Sequence, residues 1–139
     1  MCWLDTESDG DDYGVLARRL DRDGQPLGEP FVVYSTRTGP QSAAAVAVAR
    51  DGRFAVAWNG SDGSESGIFA QLFAADGTRL GGEFRVNGCT KRKQALRGAV
   101  STNRLVFNSS DALICAWNGD AGLGDESSVN LTLLTPQPL

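Results

Sequence analysis

The stretch Arg50 to Asn87, RDGRFAVAWNGSDGSESGIFAQLFAADGTRLGGEFRVN, runs as short apolar segments separated by polar ones. Phe54, Val56 and Trp58 fall on one face of a strand, because successive side chains of an extended chain point to opposite sides. A polar run follows, then the apolar segment GIFAQLF, the turn residues Asp76-Gly77 and a short segment EFRV. The pattern predicts strand, loop, strand, turn, strand. Just upstream, AAAVAVA has a helix-compatible composition, yet Val46 and Val48 alternate and Arg50-Asp51-Gly52-Arg53 has the chemistry of a hairpin turn. Glycine tolerates positive φ there, and aspartate bonds its local backbone. Two strands are expected across this region, with a short helix over 42–49 as the competing outcome.

Parts of this stretch recur. GVLARRLDRDGQPLGEPFVV matches GIFAQLFAADGTRLGGEFRV without a gap at an offset of 53, which places Gly14 over Gly67, Asp23-Gly24 over Asp76-Gly77, Phe31 over Phe84 and Val33 over Val86. A looser copy, RLVFNSSDALICAWNGDAGLGDESSVNLTLL, aligns at an offset of 59, with Trp117 over Trp58, Leu113 over Phe54 and Cys115 over Val56; Asn108 to Asp111 takes the place of an Asp-Gly turn. Approximate units are 2–35, 43–87 and 97–134. The full unit has four strands joined by short connections, which predicts an all-β fold of antiparallel, propeller-blade-type repeats, two to three in number. A β-sandwich is the alternative. The first unit lacks an inner strand and the last lacks an outer one, unless RGAVS, RLVF, ALICAW and VNLTLL form a complete third unit. Closed propellers use about four to eight blades, so either copies associate as a homo-oligomer or the chain is part of a longer one.

The unit resembles a bacterial repeat of the form FVVxW…GxxxAQxFDxDGxxxGxEFxVN, found in long secreted or surface proteins near calcium-binding or adhesion modules. The resemblance covers residues 2 to 88 well and the rest loosely. It implies a propeller-like array on an exported protein, secreted or at the cell surface, and carries no catalytic residue onto this sequence. The numbered sequence itself opens on MCWLDTESDGDDYG, which has neither the basic start nor the apolar core of a signal peptide and reads as the end of a strand.

Composition narrows the functions. The chain contains no histidine, which removes His-based acid–base chemistry, Ser-His-Asp and Cys-His nucleophiles and histidine metal sites. A formal net charge of −4 offers no overall attraction to nucleic acid or an anionic membrane, and no apolar run is long enough for a spanning helix. Of the cysteines, Cys115 in LICAW is expected to be a buried free thiol, and Cys2 and Cys89 could pair in an oxidising compartment. The Lys91-Arg92-Lys93 cluster reads as a solvated loop. Asp-Gly pairs are accounted for by turns.

Candidate chemistry lies after each tryptophan, in LDTESDGDDYG, NGSDGSESG and NGDAGLGDESS. Asp5, Glu7 and Asp9 at alternate positions before Gly10, with Asp12, resemble the start of a D-x-D-x-D-G calcium loop, although the twelfth position is Leu16 rather than a bidentate glutamate. Trp3, Asn59, Asp62, Trp117 and Asn118 are candidate ligand contacts, since a tryptophan at a strand end beside a polar loop can stack on a sugar. Core packing is the simpler role for Trp58 and Trp117, and a solvated hairpin loop the simpler role for each polar run. Asp11-Asp12 and Asp125-Glu126 are the only carboxylate pairs in these loops that invite comparison with a glycosidase, and the Asp-box pattern of propeller sialidases fails at Leu113. The expectation is a non-catalytic structural or recognition module presenting polar loops to a protein partner or glycan, without a required cofactor. A calcium-stabilised lectin-like module is the first alternative and a propeller-scaffold hydrolase the second.

Overall fold

The computed structural model describes residues 1–5, 14–35, 41–61, 66–88, 105–118 and 129–134. Among them the chain is all β. The strands are β1 (Cys2–Asp5), β2 (Gly14–Ala17), β3 (Phe31–Val32), β4 (Ser42–Val48), β5 (Phe54–Ser61), β6 (Ser66–Phe73), β7 (Arg79–Arg85), β8 (Leu105–Phe107), β9 (Leu113–Asn118) and β10 (Val129–Leu134). They form three antiparallel sheets: an N-terminal one ordered β1-β2-β3, a central one ordered β4-β5-β6-β7 and a C-terminal one ordered β10-β9-β8. Every sheet is thus a meander of sequence neighbours. The helix considered over 42–49 does not form: Val46 and Val48 pair with Val56 and Phe54 across the β4–β5 ladder, and β-branched residues favour that extended surface.

Four hairpin turns share one geometry. In each, the amide of the first residue donates to the carbonyl four residues on, and the amide of the fourth donates back to the first: Asp21 with Gln25 and Gly24, Ala49 with Arg53 and Gly52, Ala74 with Thr78 and Gly77, Asn108 with Ala112 and Asp111. The fourth residue is left-handed each time, with φ of 80°, 86° and 94° at Gly24, Gly52 and Gly77 and 58° at Asp111. This is a type I turn closed by a bulge, which needs glycine or a short polar side chain at that position. Asn108 Oδ1 accepts from the amides of Ser110 and Ala112, as Asp21 Oδ1 does from Asp23 and Gln25. The Asp51 carboxyl is held below its ordinary range by its bond from the Arg53 side chain, and that of Asp76 by the Thr78 amide.

The matched segments also share bonds beyond the turns. Val33 N donates to Val15 O as Val86 N donates to Ile68 O. Arg18 Nε donates to Gly28 O at 2.9 Å, and Gln71 Nε2, at the same place in the central sheet, donates to Gly81 O at 3.1 Å. Both glycines have positive φ. A long side chain from one strand thus pins a bulge in the next. Gln71 is fully buried, and its amide is satisfied by Leu72 O, Gly81 O and the Arg79 guanidinium.

The central sheet is covered on both faces. On one, Phe54, Val56, Trp58 and Phe73 pack with Val15, Ala17, Val33 and Tyr34 of the N-terminal region. On the other, Ala47, Ala55, Ala57 and Ala70 pack with Leu105, Leu113, Cys115 and Trp117 of the C-terminal sheet. Phe54 and Phe73 stack at 4.8 Å between ring centres, and Phe31 crosses from the N-terminal sheet at 5.5 Å from Phe73. Cys115 is a fully buried free thiol, as expected. Cys2 is also free, with its thiol pushed up by burial. Cys89 lies outside the described residues.

Candidate functional site

The tight turns gather at one end of the molecule. Arg19 Nη1 reaches from the N-terminal hairpin to Ala75 O in the 74–78 turn at 2.8 Å. Arg53, in the 49–53 turn, lies 3.5 Å from Asp111 in the 108–112 turn. Since the strands are antiparallel, Asp5 and Gly14, Ser61 and Ser66, and Asn118 and Val129 are the strand ends at the opposite end. Those are the points where the three polar segments leave their sheets.

Each sequence candidate can be placed against this frame. Trp3 is half-buried and pairs with Leu16 on the outward side of the N-terminal sheet, the side away from Val15 and Ala17. Asn59 is half-buried near the end of β5, opposite Ile68. Asp5 is half-buried at the end of β1, opposite Gly14. Trp117 is only 7% exposed and belongs to the core between the central and C-terminal sheets, which corrects its expected place among the exposed ligand contacts. Asn118 closes β9, opposite Val129. Glu7, Asp9, Asp12 and Asp62 lie outside the described residues. Trp3, Trp58 and Trp117 thus occupy like positions in their strands but unlike surroundings.

At the loop end of the central sheet a short aromatic row runs across the strands. Trp58 stacks on Phe69 at 6.4 Å, and the Arg85 guanidinium lies 5.8 Å over the Phe69 ring. A side chain at Gly60 would sit 3.2 Å from Phe69 and 3.5 Å from the Trp58 indole nitrogen, so the glycine lets the two rings approach. Asn87 is buried, and its side-chain oxygen accepts from the amide of Ile68 at 2.8 Å, fastening the end of β7 to β6.

Sequence reasoning passed over Arg79, the most connected polar side chain described. Its guanidinium donates to the carbonyls of Val33 at 2.8 Å, Val32 at 3.0 Å and Tyr34 at 3.2 Å, while lying over the Phe73 ring. Nearby, Glu83 accepts from the amide of Ser35. The first copy has Pro26 where the second has Arg79, so the repeat itself did not mark the position. At the turn end an open groove of about 190 Å3 runs between the N-terminal and central sheets, lined among others by Arg19, Phe31, Val46, Val48 and Phe54.

Among the described residues, no group of three or more cysteine and acidic side chains is placed to share a metal ion, and no helix is long and apolar enough to cross a membrane. No family model, curated protein or solved structure matches the chain. What the described geometry supplies is therefore a set of stacked sheets with amide, carboxylate and indole groups where the polar segments begin.

Proposed function

We propose that the chain is a non-catalytic recognition module of an exported bacterial protein, built from blade-like repeats that present polar segments to a glycan or protein partner. The gathering of the tight turns at one end by Arg19 and Arg53 supports this reading, because it leaves segments 6–13, 62–65 and 119–128 to depart from the other. Tight turns offer few groups to a ligand, whereas longer polar connections on a rigid scaffold are where binding usually resides. The test is a glycan array probed with the full chain, alongside the variants Asp62→Ala and Asn59→Ala. Retention of a glycan that is lost in either variant, with an unchanged melting midpoint, is the expected result. No retained glycan in calcium or in chelator would reject glycan recognition.

A calcium-stabilised form of the same reading uses Asp5, Glu7, Asp9 and Asp12. Its support is the placement of Asp5 at the strand end from which the acidic run departs. A ligand that binds only the folded state raises the unfolding midpoint, so an identical midpoint in calcium and in chelator rejects it.

A further inference from the structure

Among the described residues, the two outer sheets each carry apolar side chains on the face turned away from the central sheet. On the C-terminal sheet, Leu131 is 71% exposed, Leu133 59% and Val106 47%. The ladder puts these on one face with Ile114 and Ala116, through the pairs Leu131–Ala116, Leu133–Ile114 and Val106–Ile114. On the N-terminal sheet, the outward row is Trp3 and Leu16, paired across β1–β2 and both half-buried. The exposed apolar groups of the C-terminal sheet, contiguous on one face, mark an interaction surface.

We infer that a second copy of this chain covers both: the outward face of one copy's C-terminal sheet packs on the outward face of the next copy's N-terminal sheet, head to tail. The contact continues an interface the chain already makes twice. Ladder positions map Val106, Ile114, Ala116, Leu131 and Leu133 onto Ala47, Ala55, Ala57, Ala70 and Leu72, which form the face of the central sheet that receives the C-terminal sheet. In the same way Trp3 and Leu16 map onto Trp58 and Phe69, on the face that docks against the N-terminal sheet. Each internal contact joins a Trp-bearing face to a receiving face, and one outward face of each kind is left among the described sheets. Like faces do not meet inside the chain, which disfavours a symmetric contact of one patch with itself. A head-to-tail contact closes into a ring or runs on as a filament. Two copies bring together twice the three sheets of one, about six, within the roughly four to eight that closed blade arrays use; the assembly is a ring of two. This rests on the blade-like reading of the sheets and not on the polar segments, so a silent glycan array leaves it standing.

Light scattering on the full 139-residue chain across a concentration series tests it. A mass of twice one chain is expected. Leu131→Asp and Leu133→Asp, both at solvent-facing positions, should each weaken association about tenfold or more with an unchanged circular dichroism spectrum. Leu27→Asp, at an exposed site on the N-terminal hairpin away from both faces, should leave the mass unaltered. Trp3→Gln should also yield monomer. If Trp3→Gln stays dimeric while Leu131→Asp does not, the contact is symmetric and the head-to-tail arrangement is overturned. A stable monomer of the unaltered chain at high concentration overturns the inference outright, and is the outcome if a further sheet of a longer chain covers these faces. Should Trp3→Gln fail to fold, a dimer that persists in Leu131→Asp and Leu133→Asp overturns it equally.

Discussion

The two sides of the central sheet are built in opposite styles. Toward the N-terminal sheet it presents Phe54, Val56, Trp58 and Phe73; toward the C-terminal sheet it presents Ala47, Ala55, Ala57 and Ala70. The difference comes from single strands: β5 reads Phe-Ala-Val-Ala-Trp, so its large side chains all fall on one side and its alanines on the other. Sheets pack face to face at about 10 Å, and a large face fits best against one that leaves room. The C-terminal sheet answers the alanines with Leu113, Cys115 and Trp117. Both sides exclude water; one is built on stacked rings, while on the other the alanines, with Ile68, leave room for Leu113 and Trp117. The polar ties differ too. Arg79 grips three carbonyls of the N-terminal region, whereas among the described residues the other side has the bond from Thr132 Oγ1 to Val86 O at 3.4 Å and the Arg53–Asp111 pair at the turns.

The sharpest way to break this contrast is to empty the large side. Phe73→Ala removes a buried ring that stacks on Phe54 and touches Phe31, and should cost about 3–5 kcal/mol in chemical denaturation. Filling the small side should do less. Ala57→Leu places extra volume at a fully buried position between the central and C-terminal sheets, with an expected loss of about 1–3 kcal/mol. Val48→Leu, a change to the same side chain at an exposed strand position, should be near neutral. Arg79→Ala loses the carbonyl ties and should cost about 1–2 kcal/mol, with increased proteolysis around residues 32–35 as the local readout. The smallest effect has the opposite sign. Asp111→Gly relieves a left-handed residue at the one turn of the four that lacks glycine, and should stabilise by about 0.5 kcal/mol after loss of the exposed Arg53 pair.

Much of this was legible in the residues. The offset of 53 located the hairpins, and the turn chemistry placed their bends, including Asn108–Asp111, where asparagine supplies the local acceptor and Asp111 the left-handed position. The second burial plane was harder to see. FAVAW was read as a strand with one apolar face, yet Ala55 and Ala57 are as fully buried as Val56. A run apolar at every position marks a strand covered on both sides, and the small size of alanine hid that sign. Arg79 and Gln71 could not be ranked from sequence, since their partners are main-chain carbonyls, which carry no mark in a string of side chains. For the site, the sequence put Asp5, Asn59 and Asn118 in polar loops, and the structure puts each of them on a strand, β1, β5 and β9. Core packing, the simpler expectation for Trp58 and Trp117, holds, since both are buried, while the alternation along β1 puts Trp3 on the side away from Val15 and Ala17.

The uninterrupted ladder between β5 and β6, from Phe54–Phe73 to Ser61–Ser66, has a consequence for how the chain comes apart. The central sheet carries an interface on each of its faces, so opening it breaks the most contacts and it opens last. Amides of β5 and β6 should therefore exchange with solvent most slowly, and those of β1 and β10 first. Under tension applied at the two termini, the outer sheets would peel away singly and leave the central hairpin as the last resisting element.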